Sequence, residues 1–179
     1  MDNTRIVKRL ARAVLTLALA AAPISYASES RVAAIGDMNL IGEARMAVLF
    51  WDIYDARLYS PGAIWRAEPP YALALTYLLD LDGERIAERS IQEMRKQGFG
   101  DELTLARWYE LLAGIIPDVS DRDEIVGLAD SEGHTRFFLN GEPIGEIREP
   151  EFTERFFGIW LSERTSEPEL RRNLLGGNV

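Results

Sequence analysis

Cysteine is absent from the 179 residues, histidine occurs once, as His134, and lysine twice, as Lys8 and Lys96. Without thiols the chain has no disulfide staple and no thiolate nucleophile, so its fold must be held by a core alone. A Ser-His-Asp triad would have to recruit His134, which follows Gly133 at the start of an expected hairpin strand and reads as a solvated or turn residue. Zinc sites draw on three or four His, Cys or carboxylate ligands, and neither HExxH nor a Cys pair is present. Asp118, Asp121, Asp123 and Glu124 form the densest acidic group, but without calcium-loop spacing they read as a solvated loop. Glycine patterns that cradle phosphates are also missing. No metal and no cofactor are expected.

Charge is unevenly placed. Arg5, Lys8, Arg9 and Arg12 precede an apolar run from Ala13 to Ala22, followed by Pro23 and the small-residue site Ser25-Tyr26-Ala27. That order is the signature of a secretory signal peptide over residues 1–27, and ten apolar residues fall short of the roughly 20 that a spanning helix needs. Cleavage after Ala27 would leave one domain, residues 28–179, in the periplasm or secreted, with no membrane span. It would also remove four basic residues and one acid, taking the formal charge from −9 to −12. Phosphate backbones and anionic membranes are held by clustered cations, so neither is expected as a partner.

Over the full 179 residues, a composition of 47% hydrophobic and 27% charged is that of a folded protein. Arg45 to Tyr59 (RMAVLFWDIYDARLY) is rich in β-branched and aromatic residues, which predicts one long bent strand or two strands meeting at a bulge. Strand alternation sets Tyr54, Ala56 and Leu58 on one face, and Asp55, Arg57 and Tyr59 on the other, where Arg57 should meet an acid. Tyr71–Leu79 reads as a second strand after Pro69-Pro70. Amphipathic helices are expected over 84–97, with Asp82 as cap, and over 102–116, ended by Pro117. Short strands follow at 123–129 and 135–139, and Asn140-Gly141 signals a tight hairpin into 145–147. Phe152, Phe156, Ile159 and Trp160 carry the helical period of an element laid on a sheet. A last helix should start at Ser166, with Glu169 completing a capping box. Strands, helices, strands and helices in that order give an α+β domain with a mostly antiparallel sheet.

Four segments carry a family resemblance: LIGEARMAVLFWDIYDARLYSPG (40–62), YALALTYLLDLDGERIAERSIQEM (71–94), FFLNGEPIGEI (137–147) and FFGIWLSERTSEPELRRNLLG (156–176). In this order they resemble the bacterial, exported branch of the chalcone isomerase-like proteins. The resemblance implies an open-faced β-sandwich, a large antiparallel sheet with helices packed on one face and a cleft between them. Family members either close a chalcone into a flavanone, or bind fatty acids, or have no known catalysis. An arginine after a Leu-x-Gly segment holds an anionic oxygen in that cleft, and Arg45, after Leu40-Ile41-Gly42, is its match here. Tyr54 matches the tyrosine of the fatty-acid binders. Elsewhere the enzyme's pattern is lost: Tyr77 stands for a lysine, Ile86 for a tyrosine and Glu93 for an asparagine. No catalytic residue is therefore assigned. Ring closure needs oriented donors for the developing enolate, and these replacements remove them.

The sequence thus points to an exported domain that binds a small amphipathic, fatty-acid-like carboxylate in an apolar cleft, with Arg45, Tyr54 and Tyr77 as ligand contacts. Two other readings stay open: an isomerase or intramolecular lyase acting on a phenolic enone, and a periplasmic accessory domain with an unidentified protein partner.

Overall fold

The computed structural model describes residues 35–177, so the leader expected over residues 1–27 lies outside them. Six strands form one sheet in sequence order: β1 (Asn39–Val48), β2 (Trp51–Ser60), β3 (Tyr71–Tyr77), β4 (Glu124–Ala129), β5 (Thr135–Leu139) and β6 (Glu142–Ile147). Every neighbouring pair is antiparallel. Helices α1 (Gly83–Lys96) and α2 (Glu102–Ile115) interrupt the meander between β3 and β4, and α3 (Pro150–Leu161) and α4 (Pro168–Leu174) follow it.

Local chemistry accounts for most boundaries. Asp82 and Asp101 cap α1 and α2, Asp82 accepting from the Arg85 backbone N–H and Asp101 from those of Leu103 and Thr104. Asn140 and Gly141 both take positive φ, as the tight turn between β5 and β6 demands. Two expectations need correction. The continuous run at 45–59 is a hairpin: the chain reverses at Leu49-Phe50, with Val48 paired to Trp51. The capping box at Ser166 does not form either. The α4 cap position is Glu167, without a side-chain bond, and the Ser166 hydroxyl donates to Glu93 instead.

The main core lies between one face of the sheet and the helices. Leu58, Leu73 and Phe137 from the strands meet Met94, Trp108, Phe152 and Phe157 from the helices. The aromatic stripe of α3 is buried as its period predicts: Phe156 packs edge-on against Phe137, Phe157 and Trp160. The opposite face carries a smaller apolar cluster of Tyr59, Ala72, Ala74, Val126 and Leu128 around Ile35, beside a band of ion pairs. Arg57 sits there between Glu43 and Glu124, at 3.9 and 3.7 Å.

Candidate functional site

Between the sheet and the helices the core is left unfilled at one end, in a cavity of about 360 Å³. Small-ligand pockets span roughly 300–1,000 Å³. Its floor is sheet: Met46, Tyr54, Leu75, Tyr77 and Ile125. Phe156, Ile159 and Trp160 of α3 form one wall. The other is a stripe of α1, where Arg85, Ile86, Arg89, Ser90 and Glu93 recur at helical spacing.

Two phenols stand in this apolar floor. Tyr54 and Tyr77 are cross-strand partners with rings edge to face, 6.1 Å between centroids. The Tyr54 hydroxyl accepts from Trp160 Nε1 at 2.9 Å, and burial pushes its pKa up to about 12. Tyr77 is 2% exposed, and burial again raises its pKa, with the neighbouring Tyr54 adding to the rise. Both phenols therefore keep their protons at neutral pH. Tyr77 finds no hydrogen-bond partner for its hydroxyl among the described residues, and the Tyr54 O–H finds no acceptor there. Both residues line the cavity, so the unused hydrogen-bonding capacity of the two hydroxyls is available to an occupant.

Glu93 is the cleft's buried acid. Burial works to raise its pKa, but hydrogen bonds from Ser166 and Lys96, together with the charge of Arg89, outweigh it and hold the carboxyl below its usual range. Its oxygens are taken by Ser166 Oγ at 2.7 Å, Lys96 Nζ at 3.0 Å and Arg89 Nη2 at 2.6 Å. Such a carboxylate ties α1 to the segment before α4 and is poorly placed to act as a base. Arg89 is thereby engaged, whereas Arg85 makes no ion pair among the described residues.

Of the three residues expected to contact ligand, the structure brings Tyr54 and Tyr77 together and leaves Arg45 out. Arg45 points from the opposite face, where its guanidinium grips Asp55 in a two-pronged pair at 2.7 and 2.9 Å and reaches Asp52 at 2.9 Å. These bonds raise its pKa and lower that of Asp55. The reason is a register shift. From Val48–Trp51 and Ala47–Asp52, an unbroken ladder would set Arg45 opposite Tyr54; the bulge at Ile53 sets Met46 there and turns Arg45 away. Arg45 thus shares a face with Arg57, contrary to the clamp expected from the sequence. Arg85 and Arg89 were missed, although their i, i+4 spacing beside Ile86 and Ser90 was a readable signal.

The family model for chalcone isomerase-like proteins matches residues 29–176. The chain belongs to the chalcone isomerase-like family. An uncharacterised protein of Haemophilus influenzae is 27% identical over 139 residues, covering 76% of this chain and 67% of the relative. The crystal structure of a fatty-acid binding protein from Arabidopsis thaliana has the same fold, with a TM-score of 0.60 at 12% identity over 79% of this chain and 88% of that one. The chalcone isomerase-like fold is thus reached through few shared side chains. Tyr77, Ile86 and Glu93, which the resemblance set against a lysine, a tyrosine and an asparagine of the isomerase, all line the cleft.

Proposed function

We propose that the cleft binds a small amphipathic acid, with the Tyr77 hydroxyl, which lines the cavity without a partner among the described residues, as the observation that carries the reading. The acid's polar end takes its charge partner from Arg85 and hydrogen bonds from Tyr54 and Tyr77. Its hydrocarbon lies along Met46, Leu75, Ile125 and Phe156. An arginine at a half-open wall suits a carboxylate better than the deep floor would, because an anion buried without a cation is strongly disfavoured. The Arabidopsis protein of the same fold is named for fatty-acid binding, which agrees with this reading.

Calorimetric titration with decanoate tests it. Arg85→Ala should weaken binding by about 1.5–3 kcal/mol, the worth of a hydrogen bond to a charged group, and Tyr77→Phe by about 0.5–1.5 kcal/mol. Arg45→Ala should leave the affinity unchanged. If Arg45→Ala abolishes binding while Arg85→Ala does not, the ligand lies on the other face of the sheet.

The protein acts outside the cytoplasm in this proposal, with residues 1–27 as its export signal. Intact mass of the periplasmic fraction should then correspond to a chain beginning at Ser28. Retention of Met1–Ala27 in that fraction would count against export by a cleaved leader.

A further inference from the structure

The hairpin that joins β1 to β2 breaks two local rules at one spot. Its two-residue loop is Leu49-Phe50, and Leu49 alone of the pair takes a positive φ, 56°. A turn of that kind ordinarily places glycine first, because a side chain there is strained. The residues that replace the usual glycine and polar pair are also among the most exposed apolar groups of the molecule: Leu49 is 89% exposed, Phe50 98% and Trp51 70%. With Val48 they form four consecutive apolar residues at a convex tip. Single exposed hydrophobic residues need no explanation, but a contiguous patch that also carries backbone strain does.

We infer that this tip inserts into the headgroup region of an uncharged, zwitterionic lipid bilayer. Its shape fits a fluid layer, which can close around a protruding Leu-Phe-Trp tip from all sides. Tryptophan and phenylalanine suit that depth, where an apolar ring meets a polar boundary. Charge selects the lipid. The nearest ionic groups on the hairpin are Arg45, Asp52 and Asp55, already paired with one another and leaving one excess negative charge. The whole chain carries a formal −9, so an anionic surface would repel it. Position adds a further reason: Val48 belongs both to the tip and to the lining of the cleft, which puts the docked surface beside the cleft. The docking contact is nevertheless separate from whatever the cleft holds, and its test needs no cleft ligand.

The test compares full-length protein with a Leu49→Gly, Phe50→Asn double variant in flotation with phosphatidylcholine vesicles. Glycine at the first turn position relieves the strain, so the variant should keep or raise its Tm. Its vesicle binding should fall roughly tenfold or more, from the loss of two buried apolar side chains. Trp51 emission should shift to the blue on vesicle binding by the wild type. The two proteins are identical outside the tip, whether residues 1–27 are retained or removed, so the difference between them belongs to the tip. Replacing part of the lipid with phosphatidylglycerol should weaken binding. Equal binding by the two proteins, or binding that rises with phosphatidylglycerol, would overturn the inference. So would a wild-type dimer that the double variant loses, since the tip's partner would then be a second copy of the chain.

Discussion

Replacing Trp108 with alanine should lower the unfolding free energy by about 3–5 kcal/mol, the range for deleting a large aromatic from a core. Trp108 is fully buried in α2. Its ring stacks on Phe99 at 4.9 Å and meets Phe152 edge-on at 5.5 Å. Its indole N–H donates to Glu149 Oε2 at 3.0 Å, and Glu149, just before α3, is also gripped by Arg107. The substitution therefore opens a cavity at the junction of α2 and α3 and removes one of the hydrogen bonds that hold the Glu149 carboxyl below its usual pKa. Domains of this size are stable by about 5–15 kcal/mol in total, so urea denaturation should show a large fall in midpoint. Trp51→Ala is the control. Its exposed ring should leave stability within about 0.5 kcal/mol. A loss below about 1 kcal/mol for Trp108→Ala would mean that α2 is not packed as described.

The helices were legible because their signals are local and redundant. Asp82 and Asp101 announce the starts of α1 and α2, glycine and proline announce the ends, and the apolar period of α3 names the face that is buried. The hairpin at Asn140-Gly141 was legible for the same reason, since its turn residues state the backbone they need. The reversal at Leu49-Phe50 was not, because nothing in its residue types asks for a turn. Which face a strand residue takes depends on register, and one inserted residue flips every side chain beyond it. The resemblance placed Arg45 in the cleft; the bulge at Ile53, visible only once β1 and β2 are paired, places it outside. Tyr54 and Tyr77 meet in the cleft because β2 and β3 pair without a shift from Tyr54 to Tyr59. The role of Glu93 depended on Ser166, 73 residues away, and no local pattern encodes that contact.

The Leu-x-Gly segment that helped carry the family resemblance has a physical reason independent of any ligand, and it yields the second large effect. Gly42 of β1 lies against the end of α4. A Cβ added there would sit 2.3 Å from the carbonyl oxygen of Asn173 and 2.5 Å from that of Leu174. These are backbone atoms, and the Asn173 oxygen already accepts from Gly176 N–H, so no rotamer change can make room. Leu174 is itself fully buried, which resists displacement of the helix. Gly42→Ala should therefore cost about 3 kcal/mol, the upper part of the usual range for overpacking. The same substitution at Gly114, in the last turn of α2, meets nothing within 4 Å. There alanine reduces the freedom of the unfolded chain and favours the helix, so stability should rise by about 0.4–1 kcal/mol. Urea denaturation of the two variants should thus move the midpoint in opposite directions for one and the same chemical change. If Gly42→Ala is tolerated within about 0.5 kcal/mol, α4 is not seated on β1, and the side of the cleft formed by Ser166 and Glu167 loses its support.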